Sequence, residues 1–408
     1  MHASKPASRV ASSCCCFGGQ TAYRMQARPH GPRYKFMVPG SIHRHSSSST
    51  SSSFSLPINS SPGHRRLPSV VEEEAKQAIC VLDMASRAVA VVALLLLAAT
   101  CAQAQLYEKF YGESCPSVED VVRKEMVKAL SAAPSLAGPL LRMHFHDCFV
   151  RGCDGSVLLD SANKTAEKDA KPNQTLRGFD FVERVKAAVE KACPDTVSCA
   201  DILALMARDA VWLSKGPFWE VPLGRRDGSV SISNETNQLP PPTANFTVLT
   251  QLFAAKNLDT KDLVVLSAGH TIGTSHCFSF SDRLYNFTGR VNPSDIDPTL
   301  EPQYMMRLKG KCASLNDNTT LVEMDPGSFR TFDLGYFKNV VKRRGLFHSD
   351  GALLTNAFTR AYVQRHAGGG YKEEFFADFA ASMIKMGNAD VLTGSQGEIR
   401  KKCSVVNH

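Results

Sequence analysis

Leu141-Arg-Met-His-Phe-His-Asp-Cys-Phe-Val-Arg-Gly-Cys-Asp-Gly-Ser156 is the stretch on which the reading of this sequence turns. Arg142 and His146 are four residues apart, so on a helix they stack one turn from each other on a single face. Phe145 flanks that face, whereas His144 points elsewhere and reads as structural. A guanidinium and an imidazole aimed into one pocket could receive a polar or anionic ligand. Arg-x-x-x-His alone is more often the pattern of a surface pair. Beyond it, Asp147, Asp154 and Ser156 supply hard oxygen atoms, and Val150 and Gly152 can offer carbonyls. Oxygen-only ligation of this kind suits Ca²⁺. Cys148 and Cys153 could close the loop into a ring. A polar loop with solvated aspartates is the other reading of the same residues.

Most of the chain around this stretch reads as helical. Apolar and charged residues alternate at helical spacing over 118–133, 178–192, 200–213, 331–344 and 371–386, and 260–269 begins with an N-cap residue. Strand signals are few, the clearest at 230–233. Leu239-Pro-Pro-Pro-Thr243 reads as a rigid connector between halves. The expected class is mainly α with minimal β. No internal repeat is visible.

The first 104 residues read differently. Residues 1–70 contain no Asp or Glu and hold a Ser tract from Ser46 to Ser53, with no apolar periodicity, so 1–83 is expected to be a disordered Ser/Arg-rich leader. Met84-Ala-Ser-Arg87, the apolar run from Ala88 to Ala102, and small residues at Ala102 and Ala104 make 84–104 a secretory signal peptide. A retained signal anchor is the rival reading, and the acidic-poor leader also has the composition of a transit peptide. The remaining domain is 105–408. The formal charge of +8 is misleading, because from Gln105 onward 36 Lys and Arg face 35 Asp and Glu. That balance gives no basic stripe for a nucleic-acid partner.

Eight cysteines follow the signal: Cys115, Cys148, Cys153, Cys193, Cys199, Cys277, Cys312 and Cys403. An even count in an exported chain reads as four disulfides of undetermined pairing. A zinc site is disfavoured because none of these eight forms a CxxC pair. Sequons at Asn163, Asn173, Asn234, Asn245, Asn286 and Asn318 fit a glycoprotein.

The segment 141–156 resembles the distal segment of secreted plant (class III) haem peroxidases. Val197-Ser-Cys-Ala-Asp-Ile-Leu203, Val221-Pro-Leu-Gly-Arg-Arg-Asp227, Asp262-Leu-Val-Val-Leu-Ser-Ala-Gly-His-Thr271 and Gly394-Ser-Gln-Gly-Glu-Ile-Arg-Lys-Lys-Cys403 extend the resemblance in the right order over nearly all of 105–408. It implies a haem-peroxidase fold, two helical halves sandwiching one haem b, and reduction of hydrogen peroxide to water while phenolic donors are oxidised in two one-electron steps. Cell-wall lignification and hydrogen peroxide removal are the family's roles.

Carried over residue by residue, the resemblance makes His146 the proton carrier, Arg142 the charge stabiliser and Asn173 the acceptor from His146. His270 would be the axial iron ligand, backed by Asp350, and Phe145 would line the haem site. Asp147, Val150, Gly152, Asp154 and Ser156, with Glu167 through a water, would hold a distal Ca²⁺. Thr271, Asp325, Ser328, Thr331 and Asp333 would hold a proximal one. Pro240 matches the proline at the donor's entrance. Met324 stands where many relatives have an aromatic residue, and Asp201 and Arg225 match a buried structural ion pair. The implied disulfides are Cys115–Cys193, Cys148–Cys153, Cys199–Cys403 and Cys277–Cys312. A monomer in the cell wall is expected, with the vacuole as the alternative address and no stable membrane insertion. A peroxidase-like fold without catalysis and an intracellular ascorbate-type peroxidase are the rival functions. The first would lack one of the five site residues Arg142, His146, Asn173, His270 and Asp350. The second would lack the cysteines and the signal.

Overall fold

Helical periodicity in the sequence becomes a packed set of helices because each apolar stripe finds a neighbour. The computed structural model describes residues 81–84, 86, 87, 89 and 105–407 except 291 and 293. The leader 1–83 and the signal 84–104 otherwise lie outside the described residues. Among the described residues, no helix is long and apolar enough to cross a membrane.

Helix α1 (Val118–Ala132) buries Val118, Val122, Met126 and Leu130, one residue per turn. Helix α2 (Ala137–Phe149) carries the decisive stretch. Helix α3 (Phe179–Ala192) turns Phe181, Val182, Val185 and Val189 inward. Helix α4 (Cys199–Leu213) is buried on every side as far as Val211, as expected of a helix that is apolar nearly all round. The Ser198 hydroxyl caps it by accepting from the Asp201 amide at 3.1 Å. α4 is the hub of the first half: α1, α2 and α3 all pack on it.

The second half begins with α5 (Phe246–Ala254) and α6 (Thr260–Ser267). Asp259 caps α6, accepting from the Lys261 and Asp262 amides. A 3₁₀ turn, Ala268–Thr271, follows directly and carries His270. Further on come α7 (Asp282–Tyr285), α8 (Pro302–Lys311), α9 (Gly335–Val341), α10 (His348–Ala352), α11 (Ala357–Ala367) and α12 (Lys372–Gly387). A satellite core of Phe280, Leu284, Leu300, Tyr304, Leu308, Leu346 and Phe347 forms around the Cys277–Cys312 bond. The mainly α class is thus observed, with a single small sheet among the described residues. In it β1 (Thr274–His276) pairs antiparallel with β2 (Leu321–Glu323).

Two expectations fail here. The 230–233 segment is not a strand. Its backbone is bonded to a neighbouring turn instead, Ser233 N donating to Thr165 O at 2.7 Å. Val230 and Ile232 are exposed, so their alternation marks no buried face. The 331–344 helix shrinks to 335–341, because Thr331 and Asp333 are engaged in turn and side-chain bonds with Ser328.

Disulfides join Cys115–Cys193, Cys148–Cys153, Cys199–Cys403 and Cys277–Cys312, the pairing the resemblance implies. Cys199–Cys403 ties the chain's end back onto its first half. Arg400, wholly buried, reinforces that return by donating to the Gly155 and Cys403 carbonyls at 2.7 and 2.6 Å. Buried Asp201 is held by Arg225 (2.8 Å), the Tyr111 hydroxyl (2.9 Å) and the Gly224 amide (2.7 Å). Arg225 also donates to Gly387 O at the end of α12 (2.9 Å).

Removing one partner of a buried pair leaves the other charge without compensation. Asp201→Ala is therefore expected to destabilise the protein by about 3–5 kcal/mol, read as a fall in the denaturant midpoint. Loss of an exposed pair such as Arg365–Glu374 should leave that midpoint nearly unchanged.

Candidate active site

α2 delivers His146 into the interior at 4% exposure. Its Nδ1 lies 2.5 Å from Asn173 Oδ1, and the Asn173 amide nitrogen donates to Glu167 O at 2.7 Å. The second bond fixes which end of the amide is oxygen. An amide oxygen only accepts, so Nδ1 must carry the imidazole proton and Nε2 is left as the basic nitrogen. Burial first, then the nearby Arg142 charge, hold the imidazole well below its ordinary value of 6.5, while the Asn173 bond opposes them.

Arg142 is partly buried one turn earlier. Its guanidinium donates to Thr175 Oγ1 (2.9 Å) and Pro172 O (2.8 Å), and burial lowers its pKa to about 10. The 172–175 loop thus anchors both Arg142 and, through Asn173, His146. Phe145 packs edge-on to His146 with ring centres 5.4 Å apart. His144 is buried against Cys148 and pushed down to about 3 by burial and the Arg225 charge.

The turn after α6 presents His270. The end of α2 nearest it lies close: a Cβ on Gly269 would meet Leu141 at 3.5 Å, and one on Gly138 would meet the backbone of Gly273 at 2.8 Å. His270 Nδ1 lies 2.8 Å from Asp350 Oδ1. Asp350, at 2% exposure, also accepts from the Tyr336 hydroxyl (3.0 Å) and the Phe347 amide (2.8 Å). A carboxylate held on three sides orients the ring. His270 itself keeps 35% of its side chain exposed, and Nε2 is its uncommitted nitrogen. Phe347 packs edge-on to it at 5.0 Å. An imidazole with one nitrogen tied to a carboxylate and the other open fits an iron ligand.

A scan of family models matches the family described as Peroxidase over residues 122–369. "Peroxidase 1" of Oryza sativa subsp. japonica is 84% identical over 326 residues, covering 79% of this chain and all of that protein. "Peroxidase 30" and "Peroxidase 3" of Arabidopsis thaliana are each 56% identical, covering 78% and 75% of this chain and 96% and 93% of theirs. The chain belongs to the plant (class III) haem peroxidases. It is a peroxidase by enzyme class, using hydrogen peroxide and a reducing donor.

Two clusters of oxygen atoms lie beside the two histidines of the peroxidase. In the loop that Cys148–Cys153 closes, Asp147 and Ser156 are wholly buried, Asp154 nearly so, and Glu167 is wholly buried. Both Glu167 carboxylate oxygens and Ser156 Oγ have no hydrogen-bond partner. Asp147 accepts from the Gly155 amide (3.0 Å) and Asp154 from the Ser156 amide (2.9 Å). Burial and mutual repulsion hold Asp147 well above the usual carboxylate range, and burial lifts Glu167 to about 8. Val150 is buried, and Gly152, at φ +100°, lets the chain turn; its carbonyl accepts from Asp154 N at 2.8 Å. A Cβ there would strike Asp390 O at 2.3 Å.

In the second cluster, Thr271 Oγ1 donates to Asp325 (3.3 Å) and Ser328 Oγ to Asp333 (2.6 Å). Thr331 N donates to Ser328 O at 2.7 Å. Burial and the charge of Asp333 raise Asp325 to about 6. No group of three or more His, Cys, Asp or Glu forms a metal cage among the described residues. Both clusters instead mix carboxylate with hydroxyl and carbonyl oxygen, the donor set of a hard cation.

Pro240 is partly buried, and the residues after it dock on α10: Ser349 N donates to Pro242 O at 3.0 Å. Met324 donates its amide to Gly273 O at 3.2 Å and packs on the satellite core. The sequence reading missed Thr175, Tyr336, Phe347 and Asn339, which donates to Asp325 at 2.8 Å. No local spacing signals them.

Asn173 is 1% exposed and both ends of its amide are engaged. Its sequon is therefore expected to stay unmodified wherever the chain meets glycosylation, while exposed Asn163 and Asn234 are available. Peptide mapping with and without deglycosylation checks this, and a glycan on Asn173 would contradict the geometry.

Proposed function

We propose that this peroxidase is a secreted, monomeric enzyme of one domain, 105–408, that oxidises small phenolic donors at one haem b and carries two Ca²⁺ ions. The observation that carries the reading is the pair of oppositely prepared imidazoles: His146 with a free Nε2 and its Nδ1–H tied to Asn173, and His270 tied to Asp350. Haem, when bound, supplies the iron on which peroxide is reduced and which donors then restore.

In this reading His270 would hold the iron through its Nε2, with Asp350 accepting from Nδ1–H and enriching the ring. His146 Nε2 takes the proton from the nearer peroxide oxygen and returns it to the departing one, acting as base and then acid. Arg142 offsets negative charge on the departing oxygen. Asn173 keeps Nδ1 protonated, so that Nε2 is the nitrogen that moves protons. Phe145 lines the same face, and Pro240 lies at the donor's entrance. The segment 84–104 is the signal that directs the chain to the cell wall, the vacuole being the alternative address.

Production of 105–408 with haem and Ca²⁺ should give phenol oxidation that requires peroxide. His146→Ala should slow the reaction with peroxide by about 10²–10⁴-fold, and full turnover in that variant would refute the assigned role. Arg142→Leu should cost about 10²–10³-fold. Because the Arg142 charge depresses His146, it should also move the acid limb of the kcat/KM profile to higher pH.

Asp147, Val150, Gly152, Asp154 and Ser156, with Glu167 through a water, are the distal Ca²⁺ set. Thr271, Asp325, Ser328, Thr331 and Asp333 are the proximal set. The unpartnered Glu167 oxygens support the first of these. Without a cation, neutral Glu167 stabilises the fold below its ordinary value of 4.5, and that contribution is lost as pH rises through about 8. Chelated protein should therefore lose thermal stability between these limits on the alkaline side, and added Ca²⁺ should remove the loss. A melting temperature with the same pH profile in chelator and in Ca²⁺ would count against a distal ion.

A further inference from the structure

We propose that Tyr371 is a second, surface oxidation site of this peroxidase, fed from the His270 side of the haem site through Tyr336 and Tyr362 and used by phenol-bearing polymers too large to enter the cleft. The inference rests on a continuous run of aromatic rings. Tyr336 lies edge-on to His270 with centroids 6.0 Å apart. Phe337 lies 5.5 Å from Tyr336, and Tyr362 lies 5.9 Å from Phe337. His366 is stacked on Tyr362 at 4.0 Å and also lies 5.3 Å from Phe337. Tyr371 follows His366 at 6.1 Å. Every ring before the last is buried beyond His270, and Tyr371 is 42% exposed.

The chemistry of the run distinguishes it from ordinary core packing. Oxidising a phenol to a neutral phenoxyl radical removes one electron and one proton, so a buried tyrosine can relay only where a base takes its proton. Tyr336 donates its hydroxyl to Asp350 at 3.0 Å, and Tyr362 donates to Asp378 at 2.9 Å. Both relay phenols thus already face a carboxylate, to which the proton passes and from which it returns. Phe337 and His366 serve as packed medium between them. Tyr371 stands at the surface, where water takes its proton, and the Arg365 guanidinium lies 3.9 Å from its ring centre. Arg365 is itself paired with Glu374 at 2.6 Å.

The oxidant is the one the established activity supplies. Peroxide reduction draws two electrons. One of them comes from Tyr371, moving inward as the oxidising equivalent moves outward. A polymer phenol at the surface then gives Tyr371 one electron and one hydrogen ion, restoring it and leaving the radical on the polymer.

The test uses holoenzyme treated with peroxide in the absence of donor, with a nitroso spin trap present. Electron paramagnetic resonance should show a trapped tyrosyl radical, and peptide mass spectrometry should place the adduct on Tyr371. Tyr371→Phe should abolish that adduct and lower oxidation of a phenol tethered to a soluble polymer several-fold, while turnover of a small free phenol is unchanged. Tyr362→Phe, which keeps the ring and deletes the hydroxyl, should remove the Tyr371 adduct as well. An adduct located elsewhere, one that survives Tyr362→Phe, or undiminished polymer oxidation by Tyr371→Phe would overturn the proposal. Retained turnover of the small phenol in these variants separates that failure from a failure of the haem-site reading.

Discussion

One amide side chain holds this site together. Asn173 accepts from His146 and donates to the backbone of Glu167. Asp147, the residue after His146, sits with the buried Glu167 carboxylate in the charge cluster of the neighbouring loop. A shift in that loop is therefore transmitted to His146 from two directions, along the chain through Asp147 and across space through Asn173. Three buried carboxylates with too few cations nearby are unstable as an all-protein arrangement. The integrity of the loop that positions His146 therefore bears directly on the geometry around that imidazole.

The other imidazole is held by a different logic. His270 stands on a short 3₁₀ turn rather than on a long helix, so its orientation must come from side chains. Asp350 supplies it, and Asp350 is in turn fixed by Tyr336 from α9 and by the Phe347 amide at the start of α10. Phe347 also belongs to the satellite core that the Cys277–Cys312 bond staples. A disulfide remote from the chemistry therefore acts on the ring through one phenylalanine and one carboxylate.

How much of this was legible in the sequence depended on chain distance. Arg142, His146 and the Asp147–Ser156 oxygens lie within fifteen residues, and helical geometry alone relates the first two. Asn173, His270 and Asp350 are joined by contacts spanning 27 and 80 positions, which no spacing rule reaches; the resemblance to a family supplied them. Tyr336 and Phe347 were invisible to both routes, because their role exists only once α9 and α10 have packed. The strand expected at 230–233 failed for the converse reason. Its alternation was real, but Val230 and Ile232 face solvent, and pattern without a partner makes no sheet. The true pair, Thr274–His276 with Leu321–Glu323, is too short to carry a period.

The same distinction governs the aromatic residues of the second half. Phe332, Phe337, Phe375 and Phe379 pack against one another as core and bring no polar atom that needs a partner. Tyrosines at 336 and 362 are a costlier choice, because each brings a hydroxyl that must find a partner in the interior. Both find a carboxylate rather than a backbone carbonyl. Asp350 is buried and also holds His270, whereas Asp378 is partly exposed and paired with Lys261. A carboxylate acceptor can also take up the phenol's proton, as a phenol that changes its redox state requires.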